Sequence, residues 1–169
     1  MDPARVRALM ETALLDTPSE AAFDRLTRLA TLALEIPTAM VSLVTADRQF
    51  FKSCVGLPEP WASQRGTPMQ YSLCQYVVSE SRPLIFDDAR MLPQYREHPA
   101  VRDLNVVAYA GFPLLTSDGF SLGSFCAIDY KPRHWTKRDL TILEDLAGAT
   151  RAEIELRAAR RLLYHQMGR

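Results

Sequence analysis

The stretch Val106–Asp129, VVAYAGFPLLTSDGFSLGSFCAID, decides how this chain folds. Two apolar runs flank Thr116-Ser117-Asp118-Gly119, and Asp-Gly between such runs signals a hairpin, because both residues tolerate the backbone angles of a tight turn. With Asp118 and Gly119 as the two central turn residues, Tyr109 falls opposite Ile128, Gly111 opposite Cys126 and Phe112 opposite Phe125. A slip of one residue would exchange the faces. Neither strand alternates cleanly. Val107, Tyr109 and Leu115 share one parity, and Ala108, Ala110, Phe112 and Leu114 the other. An antiparallel strand that is apolar on both faces needs cover on both. The expected covers are helices on one side and loops enclosing a cavity on the other. Ala108, Ala110, Gly111, Gly123, Ser124 and Ala127 are small enough to let a group approach the sheet. Pro113 has no N–H for the ladder, so a bulge or an edge position is expected there.

Outward from the ribbon, towards the amino terminus, Asp2-Pro3 reads as N-cap and first residue of a helix over 3–14, with Val6, Met10, Ala13 and Leu14 on one side. Thr17-Pro18-Ser19-Glu20 has the form of a capping box. The helix it opens shows Phe23, Leu26, Ala30 and Ala33 as a core stripe. Thr38–Thr45 and Phe50–Val55 read as a hairpin across Ala46-Asp47-Arg48-Gln49. From Gly56 to Met69 the period breaks down among Pro58, Pro60 and Pro68. A structureless connection of that length is either a lid over a site or a packed link in which Trp61 fills a gap. Helical spacing returns over 70–80, with Met69, Leu73, Val77 and Val78 inward and Cys74 beside them. Pro83–Phe86 is a short strand, and 91–105 suits short helical turns.

Beyond the ribbon, Thr136 and Asp139 form a T-x-x-D cap, with Trp135 and Leu140 placed as a hydrophobic staple. The helix that follows, from 137 to about 164, carries Leu143, Ala147, Thr150 and Ile154 as a stripe that a partner helix could share. Arg157, Arg160, Arg161 and Arg169 towards its end complement the helix dipole.

Composition narrows the function classes. A chain of 169 residues suffices for one well-buried core. Lysine plus arginine and aspartate plus glutamate number 20 each, so no basic field favours nucleic acid or an anionic membrane. No apolar run approaches the roughly 20 residues that span a bilayer, and the amino terminus lacks the apolar centre of a signal peptide. Cys54, Cys74 and Cys126 are an odd number without a CxxC, which fits a reducing cytoplasm better than a disulfide framework. His98, His134 and His165 never fall at the spacing with which a helix offers a metal pair, so no metal site is expected. No Ser-His-Asp set, Walker loop or GxGxxG is present.

A series of motifs spans most of the chain: Leu15-Asp16-Thr17-Pro18, Ala22-Phe23-Asp24, Asp47–Ser53 (DRQFFKS), Gly56-Leu57, Ser72-Leu73-Cys74, Asp88-Ala89-Arg90 and Pro99-Ala100-Val101. Tyr109–Leu114 (YAGFPL), Gly119, Leu122-Gly123, Phe125–Asp129 (FCAID) and Pro132-Arg133 complete it. In this order they resemble the GAF domains at the amino termini of bacterial sensor kinases, cyclic-dinucleotide enzymes and phosphatases. The resemblance implies an α+β fold, GAF-like (profilin/PAS-like), with an antiparallel sheet of five to six strands. Terminal helices pack on one face and a loop-walled cavity lies on the other. It implies one domain over 1–169, with its core at about 18–155. The helices at 3–14 and 137–164 would serve packing or dimerisation.

The function that follows is a cytoplasmic sensory or regulatory module without catalytic activity, homodimeric through its terminal helices. It would bind a small ligand, not identified by the sequence, or relay a signal in trans to a kinase, cyclase or phosphatase effector. The residues expected at the cavity are Phe51, Lys52, Trp61, Cys74, Asp88, Arg90, Tyr109, Gly111, Phe125 and Cys126. Lys52, Arg65, Arg90 and Arg96 could each grip a carboxylate or phosphate, or pair with Asp47, Asp87, Asp88 or Glu97. Asp88 and Arg90 read as a structural pair.

Thiol chemistry is the rival reading. A sulfur nucleophile needs a lowered pKa and access, and Cys74 and Cys126 are the candidates, set against a role as small buried apolar residues. The GAF-like free methionine sulfoxide reductases carry cysteines around a Gly-Val-Cys-Gly stretch that this sequence lacks. Bilin-binding relatives often follow their cysteine with histidine, whereas Gln75 and Ala127 stand here. The Asn-Lys-x-x-Phe-Asp-Glu signature of cyclic-nucleotide GAF domains is absent.

Overall fold

The 106–129 ribbon forms the hairpin of β5 (Ala108–Leu115) and β6 (Ser121–Asp129) in a computed structural model that describes residues 2–168. Tyr109 pairs with Ile128, Gly111 with Cys126 and Phe112 with Phe125, as the turn predicts. The turn itself differs. Thr116 N donates to Phe120 O and Gly119 N to Thr116 O, so three residues, Ser117-Asp118-Gly119, span it, with Gly119 at φ +86°. The odd residue shifts Leu115 opposite Ser121, and a bulge between Pro113 and Leu115 restores the expected register beyond it. Two one-residue offsets cancel.

β1 (Thr38–Val44), β2 (Arg48–Val55), β3 (Gly66–Pro68) and β4 (Leu84–Phe86) complete a six-stranded antiparallel sheet among the described residues, in the order β3-β2-β1-β6-β5-β4. One face is covered by α1 (Pro3–Glu11), α2 (Ala21–Leu34) and α6 (Lys137–Met167). Its core holds Phe23, Phe50, Ala110, Phe112, Phe125 and Leu143. α3 (Trp61–Gln64) packs at the edge strand β3, and across the other face lie α4 (Cys74–Glu80), α5 (Pro99–Arg102) and their connecting turns. The core there holds Met40, Phe51, Leu73, Tyr109, Cys126 and Ile128. Both faces of the ribbon are therefore buried, which its two-sided apolar pattern requires.

Several local expectations are corrected. Asp2 caps α1 as expected, its carboxylate accepting from Ala4 N. The buried side of α1, however, is Arg5 and Leu9, with Met10 61% exposed. Arg5 turns inward because its guanidinium reaches Val44 O (2.7 Å) and Ser121 O (3.1 Å). α2 begins at Ala21 rather than Pro18. Thr17 does not cap it, since its hydroxyl accepts from Lys52 Nζ (2.7 Å) and donates to Leu14 O. Thr27 and Leu34 are buried on α2, while Ala33 is exposed. The 56–69 segment is not structureless, because β3 pairs with β2 as an edge strand. The helix expected over 70–80 starts only at Cys74, after a 3-10 turn at Met69–Tyr71.

The α6 capping box is present as read. Its stripe of Leu143, Ala147, Thr150 and Ile154 is buried within the chain against the sheet and α2, not presented to a partner helix. Arg169 and Met1 lie outside the described residues. Among the described residues no helix is long and apolar enough to cross a membrane.

Candidate functional site: a polar cluster under a closed cavity

A cavity between the sheet and the α4–α5 segments is walled by Met40, Phe51, Leu73, Cys74, Val106 and Tyr109, among others, with Gln49 and Thr67 at its polar end. Its volume is about 20 Å³, room for one water molecule. Tyr109 explains the closure. Gly111 is two residues along the same strand, so both face the same side. A Cβ at Gly111 would stand 2.4 Å from Tyr109 Oη and 2.7 Å from its ring. The glycine opens a space that the tyrosine then fills.

Behind this ring lies a cluster of polar groups. Tyr109 Oη is 3.2 Å from Cys74 Sγ, and Cys74 Sγ is 3.8 Å from Cys126 Sγ. α4 brings Cys74 to the sheet, and β6, a central strand, carries Cys126. The side chains of Ser42 and Ser72 both donate to Gln49 Oε1 (3.0 and 2.9 Å), while Gln49 Nε2 donates to Thr67 Oγ1 (2.7 Å). This amide therefore ties β1, β3 and the turn before α4 together. Ser124 Oγ is buried without a hydrogen bond of standard geometry among the described residues, although it lies near enough to Cys74 to act on its titration.

These contacts separate the two thiols chemically. The contact with Cys126 first, and that with Tyr109, outweigh burial and lower the Cys74 thiol to about 7. The bond to Cys74, with burial, pushes Cys126 well above its ordinary value. Burial pushes the Tyr109 phenol up as well. Cys54, half-buried near the end of β2 and separated from Cys126 by Met40 of β1, is raised by desolvation to about 11.

Of the ten residues expected at the cavity, Phe51, Cys74, Tyr109, Gly111 and Cys126 are gathered on the loop face. Phe125 is not, because it faces the helices; its pairing with Phe112 already gives it the parity opposite to Cys126. Lys52 is the extra residue of a bulge in β2, since Val41 pairs with Ser53 and Ser42 with Phe51. Lys52 keeps the parity of Phe50 and faces the α2 side, where it is fully buried, and the bulge brings Ser53 to the same side. There its ammonium meets Pro18 O (2.6 Å), Thr17 Oγ1 and the Glu20 carboxylate, and Glu20 also pairs with Arg157 of α6.

Trp61 packs against Tyr71, with centroids 5.2 Å apart, outside the cavity. Asp88 and Arg90 form the structural pair at the surface (2.7 and 2.8 Å). Of the other two cations, Arg65 donates to Thr17 O and Lys52 O, and Arg96 lies 4.0 Å from Glu97. Sequence reading missed Ser42, Gln49, Ser72 and Ser124. The available signal was a lone polar residue inside an apolar strand, as Ser42 is between Val41 and Leu43. A wider cleft of about 470 Å³ opens elsewhere, between α1, α4 and the β5–β6 turn, with Asp2, Gln75 and Ser79 on its wall. Among the described residues no three His, Cys, Asp or Glu side chains converge as a metal site.

The model of the GAF domain family matches residues 18–154.

The chain belongs to the GAF domain family.

A cyclic di-GMP phosphodiesterase of Pseudomonas aeruginosa is 33% identical over 143 residues, 83% of this chain but 24% of that protein. Among solved structures, the GAF domain of a phosphoenolpyruvate-protein phosphotransferase from Coxiella burnetii superposes with a TM-score of 0.69 at 17% identity, covering 94% of this chain and 95% of that one. A free methionine-R-sulfoxide reductase from Neisseria meningitidis, in complex with its substrate, gives 0.64 at 17% identity, over 93% and 89%. At these identities the two structures establish the GAF fold.

Proposed function

We propose that this GAF domain is a sensory, regulatory module without catalysis of its own, working in the cytoplasm and reporting through its terminal helices to an effector as a homodimer. α6 carries the reading. Its first half is locked to the sheet by Leu143, Ala147 and Ile154, and its last turns expose Leu162 (66%), Leu163 (58%) and Tyr164 (75%). One rigid helix therefore joins the sheet to a free apolar surface, a route by which a change in the domain can bias a partner. The domain spans a quarter of its cyclic di-GMP phosphodiesterase relative, which supports a module that works beside or bound to a larger signalling protein.

Sedimentation of the purified chain tests this reading. The expected result is a dimer that the double substitution Leu162→Asp/Leu163→Asp splits. A wild-type chain that stays monomeric at working concentration and alters no effector added in trans would remove the relay. A second reading, a module whose loop face is filled by its own side chains, is favoured by Tyr109 lying over Gly111. Metabolite pockets occupy about 300–1,000 Å³, far above the volume here. A thermal-shift screen with no stabilising metabolite fits this second reading, and a clear rise in Tm rejects it.

A further inference from the structure

We infer that Cys74 and Cys126 form a buried peroxide-reactive dithiol, which closes to an intrachain disulfide when a small hydroperoxide enters the loop-face cavity. The observation is their pairing. Two thiols from distant parts of the chain stand 3.8 Å apart, on a helix start and a central strand, with Tyr109 Oη on Cys74 and the buried Ser124 hydroxyl beside them. A buried cysteine serving only as a small hydrophobe needs no such company. Cys74 lines the cavity and Cys126 lies behind it, which gives them the order of an attacking and a resolving thiol. The cavity admits a molecule of the size of water or slightly larger, so the site selects hydrogen peroxide over bulky disulfides.

The chemistry balances as follows. Cys74 sulfur attacks one peroxide oxygen, the O–O bond breaks, and the departing hydroxide takes the Cys74 proton as water. Cys74 becomes a sulfenic acid. Cys126 sulfur then attacks the Cys74 sulfur, the S–O bond breaks, and the hydroxide leaves with the Cys126 proton as a second water. Two thiols lose two electrons, and one peroxide gives two waters. The lowered Cys74 thiol suits the part of first attacker, and Cys126 resolves by virtue of its position 3.8 Å away.

Closure brings the sulfurs from 3.8 Å to about 2.05 Å. That draws the start of α4 toward β6 and removes the thiol partner of Tyr109. Because α4 also packs on β1 and β5, the movement reaches the sheet that carries α6. What the oxidation signals rests on the module reading above; the thiol chemistry stands without it.

The test uses the native full chain with hydrogen peroxide and, in parallel, the bulky disulfide DTNB. Peroxide is expected to remove two hydrogens from the intact mass and to give a Cys74–Cys126 linked peptide, reversed by dithiothreitol. Cys54→Ser should behave identically, whereas Cys126→Ser should stop at a sulfenic acid on Cys74 that dimedone traps. DTNB should leave Cys74 and Cys126 unlabelled over the same interval. Equal rates with DTNB and peroxide would mean reaction through unfolded chain and would overturn the site. So would a linked peptide involving Cys54, or thiols inert to peroxide while methionines oxidise. A dimer that survives such failure keeps the module reading, and a monomer that still forms the disulfide separates the two.

Discussion

On the helix face of the sheet, Phe112, Phe125, Leu143 and Ala147 meet as hydrocarbon against hydrocarbon. The main buried charge there, Lys52, has a carboxylate and two neutral oxygens around it. On the loop face, Tyr109, Cys74, Cys126, Ser42 and Gln49 bring hydroxyls, thiols and an amide into an interior just as closed. The difference is chemical rather than one of burial. The helix face fixes the fold, and the loop face holds groups that can change protonation or oxidation state without unfolding it.

Substitutions should separate the two faces. The largest effect is expected from Phe125→Ala, which opens a void on the helix face and should cost about 3–5 kcal/mol in denaturant unfolding, while leaving the relative protection of Cys74 and Cys126 unchanged. Loss of their protection in the folded variant would mean that the faces are not independent. Next, Glu20→Ala strands the Lys52 ammonium and should cost about 1–3 kcal/mol, below a fully buried pair because Glu20 is partly solvated. If the Glu20–Arg157 contact matters, a double-mutant cycle with Arg157→Ala should show coupling.

Gly111→Ala is the counterpart on the loop face. Its Cβ must push the Tyr109 ring aside, at a cost of about 1–3 kcal/mol. Unlike Phe125→Ala, it should change the peroxide reactivity of Cys74. Unchanged reactivity would break the link between the ring and the cluster. Thr136→Ala, which removes the α6 cap, should cost only about 1 kcal/mol and leave the thiols alone.

Acid should act first on the helix face. Burial pushes the Glu20 carboxyl up, but the hydrogen bonds and charges of Lys52 and Arg157 outweigh it and hold it below its ordinary value. A carboxyl depressed in the folded state contributes stability that is complete above its unfolded pKa of about 4.3 and is lost as pH falls through the folded value. Wild type should therefore lose more stability than Glu20→Gln on acidification from about pH 5. Equal slopes would mean the ion pair contributes nothing.

Much of this was legible in the chain. The Asp-Gly signal placed the hairpin, the T-x-x-D motif placed the start of α6, and the stripe from Leu143 to Ile154 named its buried side. Such features are local, set by spacing, turn chemistry and capping within a few residues. The pairing of Gly111 with Cys126 agreed only because the longer turn and the bulge cancel. Phe125 was misassigned although the register already gave its face. Lys52 was misassigned in the same way, since it shares the parity of Phe50 on the helix face. What nothing within β2 announces is the bulge, which brings Ser53 to the α2 side beside it.

What the sequence by itself determined was the ribbon and the need to cover it on both sides, because alternation and turn signals are properties of neighbouring residues. What only the tertiary structure decided was the meeting of Cys74 with Cys126 and the closure of the cavity by Tyr109. Those depend on how far α4 stands from the sheet, a distance set by packing between segments that are remote in the chain.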